Sequence, residues 1–143
     1  MRGEVMLLNR EIMITADYGE NSTTLAHPTP WPCRVLVADF FEPWDFVYRK
    51  GSINFDHVSI YNCSQTHTKL PALTFENAIQ GTKVITNSVI ANGRAEGINI
   101  KRSQRITIKD TVIHDFVLFG LNTEGSANID LQNNIMVGVR PTL

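Results

Sequence analysis

The residues of this chain able to do acid–base, metal or redox chemistry are few and scattered. There are four histidines, His27, His57, His67 and His114. No two stand at H-x-x-x-H spacing and no C-x-x-C occurs, so the local patterns that build zinc sites are absent. His57 and His114 fall on strands or corners one residue out of step with each other, and His27 and His67 fall in irregular stretches. All four read as structural or surface histidines. Hydrolysis of a glycosidic bond needs two carboxylates across that bond. Glu124 and Asp130 are the outward acidic pair on adjacent repeats, yet they lie on different strands. Lys101 stands 23 residues before Glu124. That spacing predicts a cross-repeat ion pair, worth about 0.2–1 kcal/mol when exposed. Lys101, Arg102 and Arg105 are the residues expected to contact an anionic glycan, weakly and with an affinity that fades with salt. No catalytic residue, metal ligand or cofactor site is assigned.

What must position these residues is a repeat. At an offset of 23, Gly97 meets Gly120, Ile98 meets Leu121, Asn99 meets Asn122, Ser103 meets Ser126, Ile106 meets Ile129 and Ile108 meets Leu131. The same offset carries Ile85 to Ile108 and Val89 to Val112. With changed spacing the register extends to the N-terminal half, as Ile14, Val37, Phe55, Ile85, Ile108 and Leu131, all apolar. Its companion column reads Ile12, Val35, Ile53, Lys83, Ile106 and Ile129, where Lys83 is the exception. Asn62, Asn92 and Asp115 share a corner position. Strands such as Arg105–Lys109 alternate inward and outward with β-branched residues inside. The clearest coil divides into strands at about 97–101, 104–109 and 111–114. No 3.6-residue periodicity and no leucine-rich spine is present. The fold class expected is all-β, a right-handed parallel β-helix of about six coils with a mostly 23-residue period. Ser88, Thr111 and Asn134 occupy one inward position near a corner, where small polar groups bond corner backbone.

The whole chain, 1–143, reads as one such segment with excursion loops at 17–32 and 64–71. The first loop holds three prolines and no periodicity. Apolar residues make up 43% and charged residues 19%, which excludes a disordered tail and a coiled coil. The 13 basic and 14 acidic residues nearly cancel, so nucleic acid is not expected as a partner. No apolar run approaches the roughly 18 residues of a span, so no direct membrane insertion is expected. Cys33 sits just before the strand of Val35, and Cys63 follows both strands of the next coil. Those places are not neighbours in this register, and no bridge between them is expected. Two N-glycosylation sequons occur. Asn21, in the polar loop, is the glycosylation candidate; Asn62 sits at a corner and is expected to be internal.

EVMLLNREIMIT, then CRVLVADF, then GSINFDHVSIYNCSQ and the 23-residue coils together resemble the parallel β-helix region of the fibrocystin and fibrocystin-L family. That family is related to the cell-migration-inducing hyaluronan-binding protein and transmembrane protein 2. Glu4, Val5, Leu7, Leu8, Arg10 and Ile12 match its opening motif, and Val58, Tyr61 and Gln65 approximate a strand ending near a glutamine. The hyaluronan-degrading relatives carry histidine motifs where this chain has Leu73 and Phe75, Lys101, and Phe119. The resemblance implies a segment of a larger ectodomain, extracellular or membrane-tethered, with an adhesion, surface-coat or receptor role and protein or glycan partners. A carbohydrate-active enzyme, a hyaluronan-type depolymerase or polysaccharide lyase, is the alternative, because fold alone does not set function.

Overall fold

The computed structural model describes residues 12–16, 33–65 and 70–138. The chain enters through β1 (Ile12–Thr15), β2 (Val35–Ala38), β3 (Phe40–Glu42), β4 (Val47–Arg49), β5 (Ile53–Asp56) and β6 (Val58–Tyr61). It continues with β7 (Leu73–Glu76), β8 (Lys83–Thr86), β9 (Val89–Gly93), β10 (Ile98–Lys101) and β11 (Gln104–Lys109). The last described strands are β12 (Val112–Phe116), β13 (Leu121–Glu124), β14 (Ala127–Gln132) and β15 (Ile135–Val137). No helix occurs among the described residues.

Three sheets are wholly parallel. The first orders β1-β6-β9-β12-β15, the second β2-β7-β10-β13 and the third β5-β8-β11-β14. From β5 onward the chain visits third, first and second sheet in turn and repeats that cycle. The later strands keep the expected register: Ile108 pairs with Ile85 on one side and Leu131 on the other. Parallel strands offset by one repeat put identical positions in columns, so each inward apolar residue covers the one before it. Phe75 stands beside Ile100 in the second sheet, and Ile60, Ile90 and Ile113 line up in the first. Ile85, Ile98, Ile100, Ile106, Ile108 and Ile113 are all fully buried. Each such side chain contributes about 1.5–3 kcal/mol of transfer free energy.

The N-terminal register differs from expectation. Ile14 pairs with Ile60 in the first sheet, and Val37 pairs with Phe75 in the second. Neither belongs to the Phe55–Ile85–Ile108–Leu131 column. The expected six coils counted those two residues as separate rungs of one column. Among the described residues the sheets are instead five, four and four strands deep.

The corners explain why Asn and Asp recur. His57, Asn87, Asp110 and Asn133 follow strands of the third sheet, and all have φ between 48° and 57°. Asn62 and Gly138 follow β6 and β15 of the first sheet, Asn92 and Asp115 stand next to the last residues of β9 and β12, and Asn77, Arg102 and Gly125 follow strands of the second sheet, all with φ between 46° and 66°. A left-handed residue turns the chain from one sheet to the next, and Asn, Asp and Gly adopt that conformation most readily. Small polar residues then close the corner. The Ala78 N–H donates to Ser103 Oγ at 3.0 Å, and Ser103 N–H donates to Ser126 Oγ at 3.1 Å. At the next corner Val58 N–H donates to Ser88 Oγ, and Thr111 N–H donates to Asn134 Oδ1 at 3.0 Å. Ser88 and Asn134 thus bond corner backbone of the preceding rung as expected, while the Thr111 hydroxyl donates to the Lys109 carbonyl oxygen of its own rung at 2.9 Å.

Candidate functional site

One element departs from the parallel pattern. β3 and β4 form an antiparallel hairpin, with Phe41 opposite Tyr48 and Glu42 opposite Val47. The turn Pro43–Phe46 joins them. The hairpin carries a concentration of exposed aromatic surface, with Trp44 89% and Phe46 81% exposed and Phe40, Phe41 and Tyr48 about half exposed. Phe41 and Phe46 meet edge to face, 6.4 Å between ring centres. Arg49 bridges Glu42 at 2.8 Å and Asp45 at 3.6 Å, which holds both strands and the turn together.

The base of this hairpin is pinned by Asp39. Its carboxylate accepts the N–H groups of Gly51 at 2.6 Å, Ile79 at 2.9 Å and Gln80 at 2.8 Å, and the Tyr48 hydroxyl at 3.4 Å. Burial pushes the Asp39 carboxyl up, but the three backbone donors and the nearby Lys83 cation outweigh it and hold the group below its usual value. The junction is tight. Gly81 adopts φ 73°, and a Cβ there would lie 2.6 Å from the Gly51 carbonyl oxygen.

Beside that base an open cleft is lined by Lys50, Ile79, Gln80, Lys83, Arg105 and Thr107, among others. Lys50 directly follows β4. Arg105, at φ 56°, donates to the Ile79 carbonyl oxygen at 2.8 Å, which fixes its guanidinium on the rim. Lys83 occupies the apolar column between Ile53 and Ile106 and is 1% exposed. Its ammonium donates to the Gly81 carbonyl oxygen at 3.0 Å and to that of Gln80. Burial pulls Lys83 below the ordinary lysine value; Asp39 opposes that pull and Arg105 adds to it. Among the described residues neither Lys50 nor Arg105 has a carboxylate partner, whereas Arg49, Lys101, Arg102 and Lys109 each do.

The three cations expected to contact a glycan therefore divide. Lys101 pairs with Glu124 at 3.9 Å, the cross-repeat ion pair anticipated from spacing. Arg102 reaches Glu76 at 3.3 Å and Asn77 Oδ1 at 2.8 Å. Arg105 alone faces the cleft. Glu124 and Asp130 lie in different sheets, and Asp130 accepts from Gln132 at 2.8 Å. They do not face each other across a common groove. His57 and His114 sit in different registers, each against the neighbouring aspartate, at 3.0 Å and 2.7 Å. Among the described residues no group of three or more His, Cys, Asp or Glu converges on one point. Asn21, His27 and His67 lie outside the described residues, as do loop 17–32 and positions 66–69 of the second loop.

The cysteines correct the expectation. Cys33 and Cys63 form a disulfide, with Cα atoms 4.6 Å apart. They had been separated by placing the Val35 strand beside Ile12 and Ile53. Because β2 lies beside β7, the entry to β2 runs along the corner that leaves β6, and Ser64 N–H donates to the Cys33 carbonyl oxygen at 3.2 Å. Asn62, expected to be internal, is half-buried at that corner.

The hairpin and the cleft were not anticipated. Their signals were present: FFEPWDFVY alternates bulky residues around a Pro-Trp-Asp turn, and Lys83 broke an apolar column. Comparison with known proteins gives no match to a family model, to a curated protein or to a solved structure.

Proposed function

We propose that the chain is a right-handed parallel β-helix serving as a non-enzymatic structural and binding segment of a fibrocystin-like extracellular or membrane-tethered protein. Its role is adhesion, surface coat or receptor, with protein or glycan partners. The observation that carries the binding half is the cleft in which Lys50 and Arg105, neither with an acid partner among the described residues, lie beside an exposed aromatic hairpin. A site built to cleave a glycosidic bond needs a proton donor and a second group across the bond. Asp39, whose carboxylate accepts the N–H groups of the cleft-lining Ile79 and Gln80, is held below its usual value by its three backbone donors and is a poor proton donor. The Cys33–Cys63 bridge supports an oxidising, extracellular setting. A rigid stack of apolar columns suits a spacer whose surface must hold its shape. The test incubates the protein with fluorescently labelled hyaluronan and polygalacturonate and follows chain length. Unchanged length is expected. Fragmentation abolished by Glu124→Gln or Asp39→Asn overturns the scaffold reading in favour of an enzyme.

A further inference from the structure

The hairpin and the cleft share one base, so apolar and cationic chemistry stand side by side on one surface. Lys50 leaves β4 and enters the cleft wall, while Asp39, just before β3, is bonded to the Ile79 and Gln80 N–H groups of the cleft rim. Three-residue strands carry the turn about 10 Å from that base. From the structure we infer that this surface docks an extended segment of a protein partner, one that sets an aspartate or glutamate among bulky apolar side chains. The inference deepens the binding half of the reading above by naming the partner's chemistry.

Three observations favour this occupant. First, the exposed residues are Trp44, Phe46, Phe40, Phe41 and Tyr48, the types that dominate the energetic centres of protein interfaces. Second, the anion-accepting group is local. Arg105, fixed by its bond to Ile79, presents a fork suited to a single carboxylate, and Lys50 shares its cleft. A polyanion with regularly spaced charges wants a row of open cations, and the next candidates, Lys101 and Arg102, are already paired with Glu124 and Glu76. Third, the hairpin holds an ionic cluster of Arg49, Glu42 and Asp45 among its aromatics. Two carboxylates beside the turn oppose burial of that turn in a lipid surface.

The experiment selects a phage-displayed random dodecapeptide library on the intact disulfide-bonded protein, then measures the enriched peptides by fluorescence anisotropy. Enriched sequences should place Asp or Glu within a few positions of two or more large apolar residues. Trp44→Ala and Arg105→Ala should each weaken binding about tenfold or more. Arg105→Lys should retain part of it, and Lys109→Ala, whose partner is Asp110, should leave it within about twofold. All four variants should melt within a few degrees of the parent, since the altered side chains project outward. Three results overturn the inference: no enrichment, an enriched motif lacking acids, or peptides indifferent to both Trp44→Ala and Arg105→Ala. A hyaluronan decasaccharide that binds with the same two dependences and displaces the peptides also overturns it, making this a glycan surface. None of these outcomes alters chain-length measurements on hyaluronan, so the scaffold reading stands or falls separately.

Discussion

Ile108→Ala is the sharpest test of the column architecture. Ile108 is fully buried in β11, with Ile85 on one neighbouring strand and Leu131 on the other. Truncation removes three carbons from a site closed on both sides by fixed backbone ladders, so the walls have little freedom to collapse. Losses in such sites run about 2–5 kcal/mol, transfer term plus cavity term. A loss near 3 kcal/mol lowers the melting temperature by roughly 10 °C in a domain of this size. Leu131→Ala alters the same column at the outermost strand, where the side chain is 45% exposed, and should cost about 1 kcal/mol. Thr107→Ala, one residue along and facing outward, should stay within about 0.5 kcal/mol. The assay is urea unfolding followed by far-ultraviolet circular dichroism, with slopes compared to check that each variant unfolds in the same way. The order Ile108, Leu131, Thr107 depends on depth in the stack and not on hydrophobicity alone. Equal midpoint shifts for Ile108→Ala and Thr107→Ala, or a larger cost at Leu131 than at Ile108, refute the assigned column.

Breaking the Cys33–Cys63 bridge by Cys33→Ser with Cys63→Ser should cost about 3–4 kcal/mol, the loop-closure entropy for a separation of 30 residues; calorimetry measures it, and an unchanged melting temperature contradicts it. Ser103→Ala should cost roughly 1–3 kcal/mol, because the Ala78 N–H loses its buried acceptor; a neutral urea midpoint would show that the corner ladder carries no stability. Asp39→Asn should cost roughly 1.5–3 kcal/mol through weakened bonds to three N–H groups. Because the folded protein holds Asp39 below its ordinary value, the unfolded chain binds that proton more tightly. The contribution is therefore complete above about pH 4 and lost as pH falls through the lower folded value. A pH profile of the urea midpoint that Asp39→Asn leaves unchanged in that window contradicts this assignment.

The part of the fold that could be read from the residues was the part with a strict period. From Ile85 to Leu131 the offset of 23 sets Val89 on Val112 and Ile106 on Ile129, as observed. Where inserted segments change the spacing, alternation alone loses the register. A short apolar strand such as IMIT or VLVA presents the same pattern whichever sheet it joins, so Ile14 and Val37 were set in the wrong column. The disulfide was missed for that reason, since its geometry depends on β2 lying beside β7. The hairpin was hidden inside the short step from Val37 to Phe55, which looked like a compressed coil. The charge of Arg105 made it a candidate anion contact, and the structure sets it on the rim of the cleft. Its separation from Lys101 and Arg102 was not legible, because which cation finds a carboxylate depends on the facing strand: Glu124 opposite Lys101, and Glu76 within reach of Arg102.

The central claim is that the working surface is the hairpin and its cleft, carried on a rigid parallel stack. Amide chemical-shift mapping tests it most directly. Uniformly labelled protein is titrated with an enriched acidic dodecapeptide and, separately, with a hyaluronan decasaccharide. The account predicts that peptide-induced shifts gather in residues 40–50, 79–84 and 105–107 and leave 98–102 and 121–124 unmoved. Shifts centred instead on Lys101, Arg102 and Glu124, or spread evenly over the three sheets, contradict it.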